Sequence, residues 1–186
     1  IPNYRLGTPG EYYPKARAAA KKAIEIDDAL AEAHNALASI ACYYEWKFPE
    51  AESEFRNAIA LNPSYATAHQ WYSEFLMSMG RGPEALAEMK RAQELDPLSI
   101  IINGLVGVTL RLNGQPEQAL EQLLKTRELD PNFPRTHLFL GDLYQSIGRF
   151  DDAADEFRNH GVLNGMSEGV ADQYASKVKE AASSLA

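Results

Sequence analysis

The chain has 186 residues, 45% hydrophobic and 24% charged, with a formal net charge of −8 and a pI of about 5.0. That balance belongs to a folded chain, and an acidic surface repels phosphate backbones and anionic lipid, which sets aside nucleic acid and membrane surfaces as partners. A lone cysteine, Cys42, excludes an intramolecular disulfide and suits a reduced, cytoplasmic compartment, and no stretch approaches the roughly 18 apolar residues of a membrane span.

Residues 1–12 carry prolines and glycines but no apolar run, so the expectation there is a loop and not a signal peptide. No initiator methionine is present, which suggests a piece of a longer protein. From Tyr13 to Ile26, the residues Ala16, Ala20, Ala23 and Ile24 fall on one helical stripe, predicting a half-repeat over 13–28.

Four units follow, over 29–62, 63–96, 97–130 and 131–164, each predicted as two helices, A then B. Their A helices carry His34, Leu37, Ala38, Ala41; His69, Tyr72, Ser73, Leu76; Asn103, Val106, Gly107, Leu110; and His137, Leu140, Gly141, Tyr144. Their B helices carry Ala51, Phe55, Ala58; Ala85, Met89, Ala92; Ala119, Leu123, Thr126; and Ala153, Phe157, His160. Small residues at 38, 107 and 141 predict close approach of the paired helices, and large ones such as Phe55, Met89, Leu123 and Phe157 fill the remaining space. The first unit holds one extra residue within Tyr44–Phe48.

Between units stand Asn62-Pro63, Asp96-Pro97 and Asp130-Pro131, with Asp27-Asp28 at the first boundary. Proline disfavours helix in the residue before it, and the acid or amide is expected to cap the helix that follows. After His160 the period fails. A last helix over 167–185 presents Val170, Tyr174, Val178, Ala181 and Leu185 on one face and charge on the other, as a terminal cap should.

The prolines at 63, 97 and 131 recur every 34 residues, and the Leu-Asp-Pro runs at 95–97 and 129–131 and Gly-Arg-Phe-Asp-Asp-Ala at 148–153 resemble the tetratricopeptide repeat (TPR) family over residues 13–163. The resemblance implies an all-α fold, a right-handed superhelical solenoid of antiparallel helix pairs with a C-terminal capping helix, and a non-catalytic protein-interaction role. More narrowly, Tyr13-Pro14-Lys15-Ala16, Ala31-Glu32-Ala33-His34 and the run from Tyr65 to Tyr72 are similar to TPR tails of bacterial signalling proteins. Those tails follow a winged-helix DNA-binding domain, a serine/threonine kinase or a nucleotide cyclase, which implies a regulatory arm.

The family's usual binding surface is the concave face of the A helices. Carried onto matching positions, it comprises Glu32, Asn35, Ser39 and Tyr43; Gln70, Trp71, Glu74 and Met77; Ile101, Leu105, Val108 and Arg111; and Arg135, Leu138, Phe139 and Asp142. The family's carboxylate clamp is absent, because its slots hold mainly Ser39, Trp71, Ile101 and Leu105. The expected occupant is an amphipathic helix or extended apolar segment anchored near Trp71 and Leu105. Several of these residues could instead only pack neighbouring repeats, and a homodimer through the open first helix or the apolar groove is the rival reading.

Other signals carry less. Gly165-Met166-Ser167-Glu168-Gly169 matches a nucleophile pattern that needs a strand before it; a helix is expected there, so Ser167 is read as a helix cap. Ser176 and Lys179 lack the partner motifs of a Ser-Lys enzyme. The recurring His34, His69 and His137 fall on successive A helices, too far apart for one metal, and the acids at 151, 152, 155 and 156 lack a calcium-loop spacing. Neither a cofactor nor a metal is expected.

Overall fold

The computed structural model describes residues 8–183, and within them the chain is all-helical, with ten helices and no strand. It divides into two compact units, one up to Leu95 and one from Asp96 onward. The first contains α1 (Pro9–Ile26), α2 (Ala31–Tyr43), α3 (Phe48–Leu61), α4 (Ala66–Ser78) and α5 (Gly82–Leu95). The second contains α6 (Ile100–Leu112), α7 (Pro116–Leu129), α8 (Pro134–Ser146), α9 (Phe150–Leu163) and α10 (Glu168–Ser183). Short turns fold α2 onto α3 and α4 onto α5 in the first unit, and α6 onto α7 and α8 onto α9 in the second.

The A-to-B turns share one device. Gly80, Gly114 and Gly148 adopt φ of 73°, 72° and 76°, a region open to glycine without a steric penalty. The next residue then donates its N–H back across the turn, as Arg81 does to the Leu76 carbonyl at 2.9 Å. In the first repeat the extra residue changes this. Trp46 takes the left-handed conformation at φ 58°, the only described non-glycine residue to do so, and Lys47 N–H reaches the Ala41 carbonyl at 2.8 Å.

The B-to-A turns differ from expectation. Asn62 and Asp130 end their helices and do not cap the next ones; the N-cap positions fall three residues later, at Tyr65 and Phe133. The Asx-Pro pair instead opens a β-turn, in which Tyr65 N–H donates to the Asn62 carbonyl at 3.1 Å and Phe133 N–H to the Asp130 carbonyl at 3.3 Å. Proline suits the second position of such a turn because its φ is already set. Asp27 builds the same turn without proline: its Oδ1 accepts from Ala29 N–H at 3.0 Å and its carbonyl from Leu30 N–H at 3.3 Å.

The repeat stripes are buried nearly throughout. Ala51, Phe55, Ala58, Ala85, Met89, Ala92, Ala119, Leu123, Thr126 and Ala153 are almost completely covered. A Cβ added at Gly107 would stand 2.5 Å from Leu123 Cγ, and one at Gly141 would stand 2.5 Å from Phe157 Cε1. The small residues therefore set the approach of these two pairs, as their positions predict.

His34, His69 and His137 join helices within a pair. Their Nδ1 atoms lie 2.6 Å from carboxylate oxygens of Glu54, Glu88 and Glu156 respectively. Their Nε2 atoms face backbone carbonyls of Asp28, Pro63 and Pro131 at 3.4, 3.2 and 2.8 Å. In the third repeat Asn103 and Gln122 occupy both places, with Gln122 donating to Asn103 Oδ1 at 3.1 Å. A histidine and a glutamate are thus exchanged together for two amide side chains.

Two further expectations shift. The helix expected from Tyr13 begins at Pro9, so residues 9–12 are not a loop; Thr8 N–H donates to the Glu11 carboxylate at 3.1 Å and proline fills the first helical position. Residues 1–7 of the expected loop lie outside the described residues. In α10 the covered residues are Ala171 and Ala175, while Val170 and Tyr174 are half exposed. The turn before α10 explains this: Met166 N–H closes on the Gly161 carbonyl, one residue more follows, and Ala171 N–H then takes the Ser167 carbonyl at 3.0 Å. That extra residue rotates the helix by one position, about 100°. Leu185, expected on the same face, lies outside the described residues.

Candidate functional site

In the first unit, α1, α2 and the start of α4 enclose a cleft of about 340 Å³. Helix α1 supplies Tyr12, Tyr13 and Ala16, α2 supplies Glu32, Asn35, Ala36 and Ser39, and Tyr65 and Trp71 close the far side. The order of elements explains the convergence. Helix α1 packs on α2, α2 also touches α4, and the A-helix positions that escape the core stripe point to the space between them.

The cleft is held from behind. Tyr13 stacks on Tyr44 with ring centroids 4.7 Å apart, and Trp71 packs against the core cluster around Phe55 and Phe75 while meeting the Tyr43 ring edge-on at 5.8 Å. Ser39 Oγ donates to the Asn35 carbonyl at 2.9 Å. Asn35 is 7% exposed, and its Oδ1 is buried without a hydrogen-bond partner. Such an orphaned acceptor costs roughly 1–3 kcal/mol. Burial, and then the Glu32 charge, push the Tyr65 hydroxyl above its ordinary pKa, against hydrogen bonds from Asn35 and Thr67. Burial, and then the Glu74 charge, do the same to Tyr43.

Of the eight positions expected in this unit, Glu32, Asn35, Ser39 and Trp71 line the cleft. Tyr43 meets the Trp71 ring edge-on, Gln70 and Glu74 are bonded to each other at 3.1 Å along α4, and Met77 packs against the core cluster. Tyr12, Tyr13 and Tyr65 were missed. Tyr12 fell in a segment expected to be loop, and Tyr65 sits at a turn outside the A-helix pattern. The dense tyrosines around residues 12–13 were the available signal.

In the second unit, Ile101 is exposed, and Leu105, Val108 and Arg111 are half-buried along α6. On α8, Phe139 lies against Gly104, whose added Cβ would meet the ring at 3.0 Å, and the Arg135 guanidinium sits 5.7 Å from the same ring centroid. Phe139 therefore serves packing between α6 and α8. Leu138 is half-buried, and burial holds the Asp142 carboxyl above the usual range, opposed by Arg111.

The rejected signals are placed plainly. Ser167 follows helix α9 and its carbonyl opens α10. Asp151 and Asp155 pair with Lys179 at 3.3 and 3.5 Å, and Asp152 with Arg149. Among the described residues no three or more His, Cys, Asp or Glu side chains group closely enough to hold a metal ion, and no helix is long and apolar enough to cross a membrane.

Helix pairs in a 34-residue register with an open A-helix cleft define a helical-repeat binding scaffold. Family models described as tetratricopeptide repeat match residues 46–106 and 109–160, and the chain belongs to that family, whose members are protein-interaction modules. No curated protein matches the sequence. Among solved structures, the chain is similar to PilW, a widely conserved type IV pilus biogenesis factor, at 24% identity and a TM-score of 0.79, covering 92% of this chain and 79% of that one. It is similar to Pseudomonas aeruginosa PilF at 24% identity and TM-score 0.73, covering 93% and 84%. It is also similar to YrrB, described as a TPR protein with an unusual peptide-binding site, at 20% identity and TM-score 0.66, covering 90% and 84%. At these identities the likeness is one of fold.

Proposed function

We propose that this chain is a non-catalytic module that binds a peptide or helix of another protein against its A helices, as the regulatory arm of a larger bacterial signalling protein. The observation that carries the binding reading is the first unit's cleft, lined by the exposed Tyr12 and the half-buried Tyr13, Tyr65 and Trp71. Family membership supports it, as does the peptide-binding site described for YrrB. The regulatory attachment is supported by the tail-like runs around Ala31–His34 and Tyr65–Tyr72.

Selection of displayed random peptides on the full chain tests the binding reading. Selected peptides should lose capture when Tyr12→Ala and Ser39→Glu are combined, and undiminished capture by that variant contradicts the assignment. Homodimerisation is the second reading, favoured by the exposed Tyr12 and Trp46 of the first unit. Sedimentation across concentrations separates the two: a constant monomer mass excludes self-assembly, and a rising mass that peptide cannot reverse favours it.

A further inference from the structure

The cleft of the first unit is lined by four aromatic side chains, Tyr12, Tyr13, Tyr65 and Trp71, and by the carboxylate of Glu32. No lysine or arginine is among its lining residues. Glu32 is exposed and makes no salt bridge among the described residues. Aromatic faces are the negative side of a quadrupole and attract ammonium and guanidinium groups. The chain's net charge of −8 draws cations toward it. Rings and carboxylate therefore ask for the same chemistry.

We propose that this cleft selects a basic side chain, arginine or lysine, on a peptide segment of the partner protein, with the cation between the rings and Glu32 as counter-ion. This rests on the peptide-binding reading and narrows it. An apolar anchor, which the groove pattern suggested, gains the ring contacts but leaves Glu32 without a counter-ion.

The test uses four otherwise identical short peptides with Arg, Lys, Leu or Glu at the centre, titrated into the nitrogen-15-labelled full chain. The Trp71 indole N–H and the α2 amides are followed. Arg and Lys peptides should bind about tenfold tighter than Leu or Glu peptides, and less tightly at high salt. Glu32→Gln and Tyr12→Ala, both surface changes, should each weaken the Arg peptide about threefold without altering the melting midpoint. Equal or tighter binding of the Leu or Glu peptide at the same resonances overturns the cation preference and leaves the peptide reading standing. If none of the four peptides, at millimolar concentration, moves these resonances, both fall.

Discussion

His137 Nδ1 lies 2.6 Å from Glu156 Oε2, with both residues buried, while His137 Nε2 faces the Pro131 carbonyl at 2.8 Å. Both ring nitrogens thus meet acceptors, which favours the doubly protonated imidazolium. The Glu156 hydrogen bond is the chief cause raising the His137 pKa above its ordinary 6.5; burial opposes it, the Pro131 carbonyl assists, and Arg127, paired with Glu156 at 2.7 Å, opposes it weakly. A raised folded value means the stabilisation is complete below the unfolded value and is lost as pH rises through the folded one. The melting midpoint should therefore fall as pH rises above about 6.5. The paired exchange His137→Asn with Glu156→Gln, which copies Asn103 and Gln122, should flatten that slope. Melting curves across pH check it, and an unchanged slope contradicts the ion pair.

Gly107 has no room for a methyl group against Leu123. Gly107→Ala should cost roughly 1–3 kcal/mol, and Gly107→Leu more, lowering the midpoint by several degrees. Gly169, with nothing within 4 Å of an added Cβ, is the control: Gly169→Ala in α10 should gain up to about 1 kcal/mol. Thermal melts of both variants decide, and equal effects would contradict the packing account.

Trp46 holds a left-handed backbone where the other repeats place glycine, and the residue is 72% exposed. Relief of that strain, offset by the entropy of a new glycine and the lost edge contact with Phe48, leaves Trp46→Gly a gain of roughly 0.5 kcal/mol. Denaturant midpoints would show it; a clear loss would mean the ring contact outweighs the backbone.

The helix pairs were legible because proline, glycine and small residues recur at fixed offsets, and each has a steric reason to stand where it does. Ala85 and Leu123 could be assigned to the core from spacing alone. The cleft was only half legible. Asn35, Ser39 and Trp71 follow from the helical register, but Tyr12 and Tyr65 reach the cleft through the early start of α1 and the β-turn before α4, and neither feature is periodic. The His–Glu pairs were half seen for a related reason: the histidines share one register position, but their partners lie 19 or 20 residues on, across the fold. Val170 and Tyr174 were misplaced because one added turn residue rotates α10.

Hydrogen–deuterium exchange of the full chain with and without a display-selected peptide tests the central account most directly. Protection should rise in α2 and at the start of α4, around Asn35, Ser39 and Trp71, while α3 and α5 exchange as before. Protection confined to α3 and α5, or no change in α2 at saturating peptide, would contradict binding at the A-helix cleft.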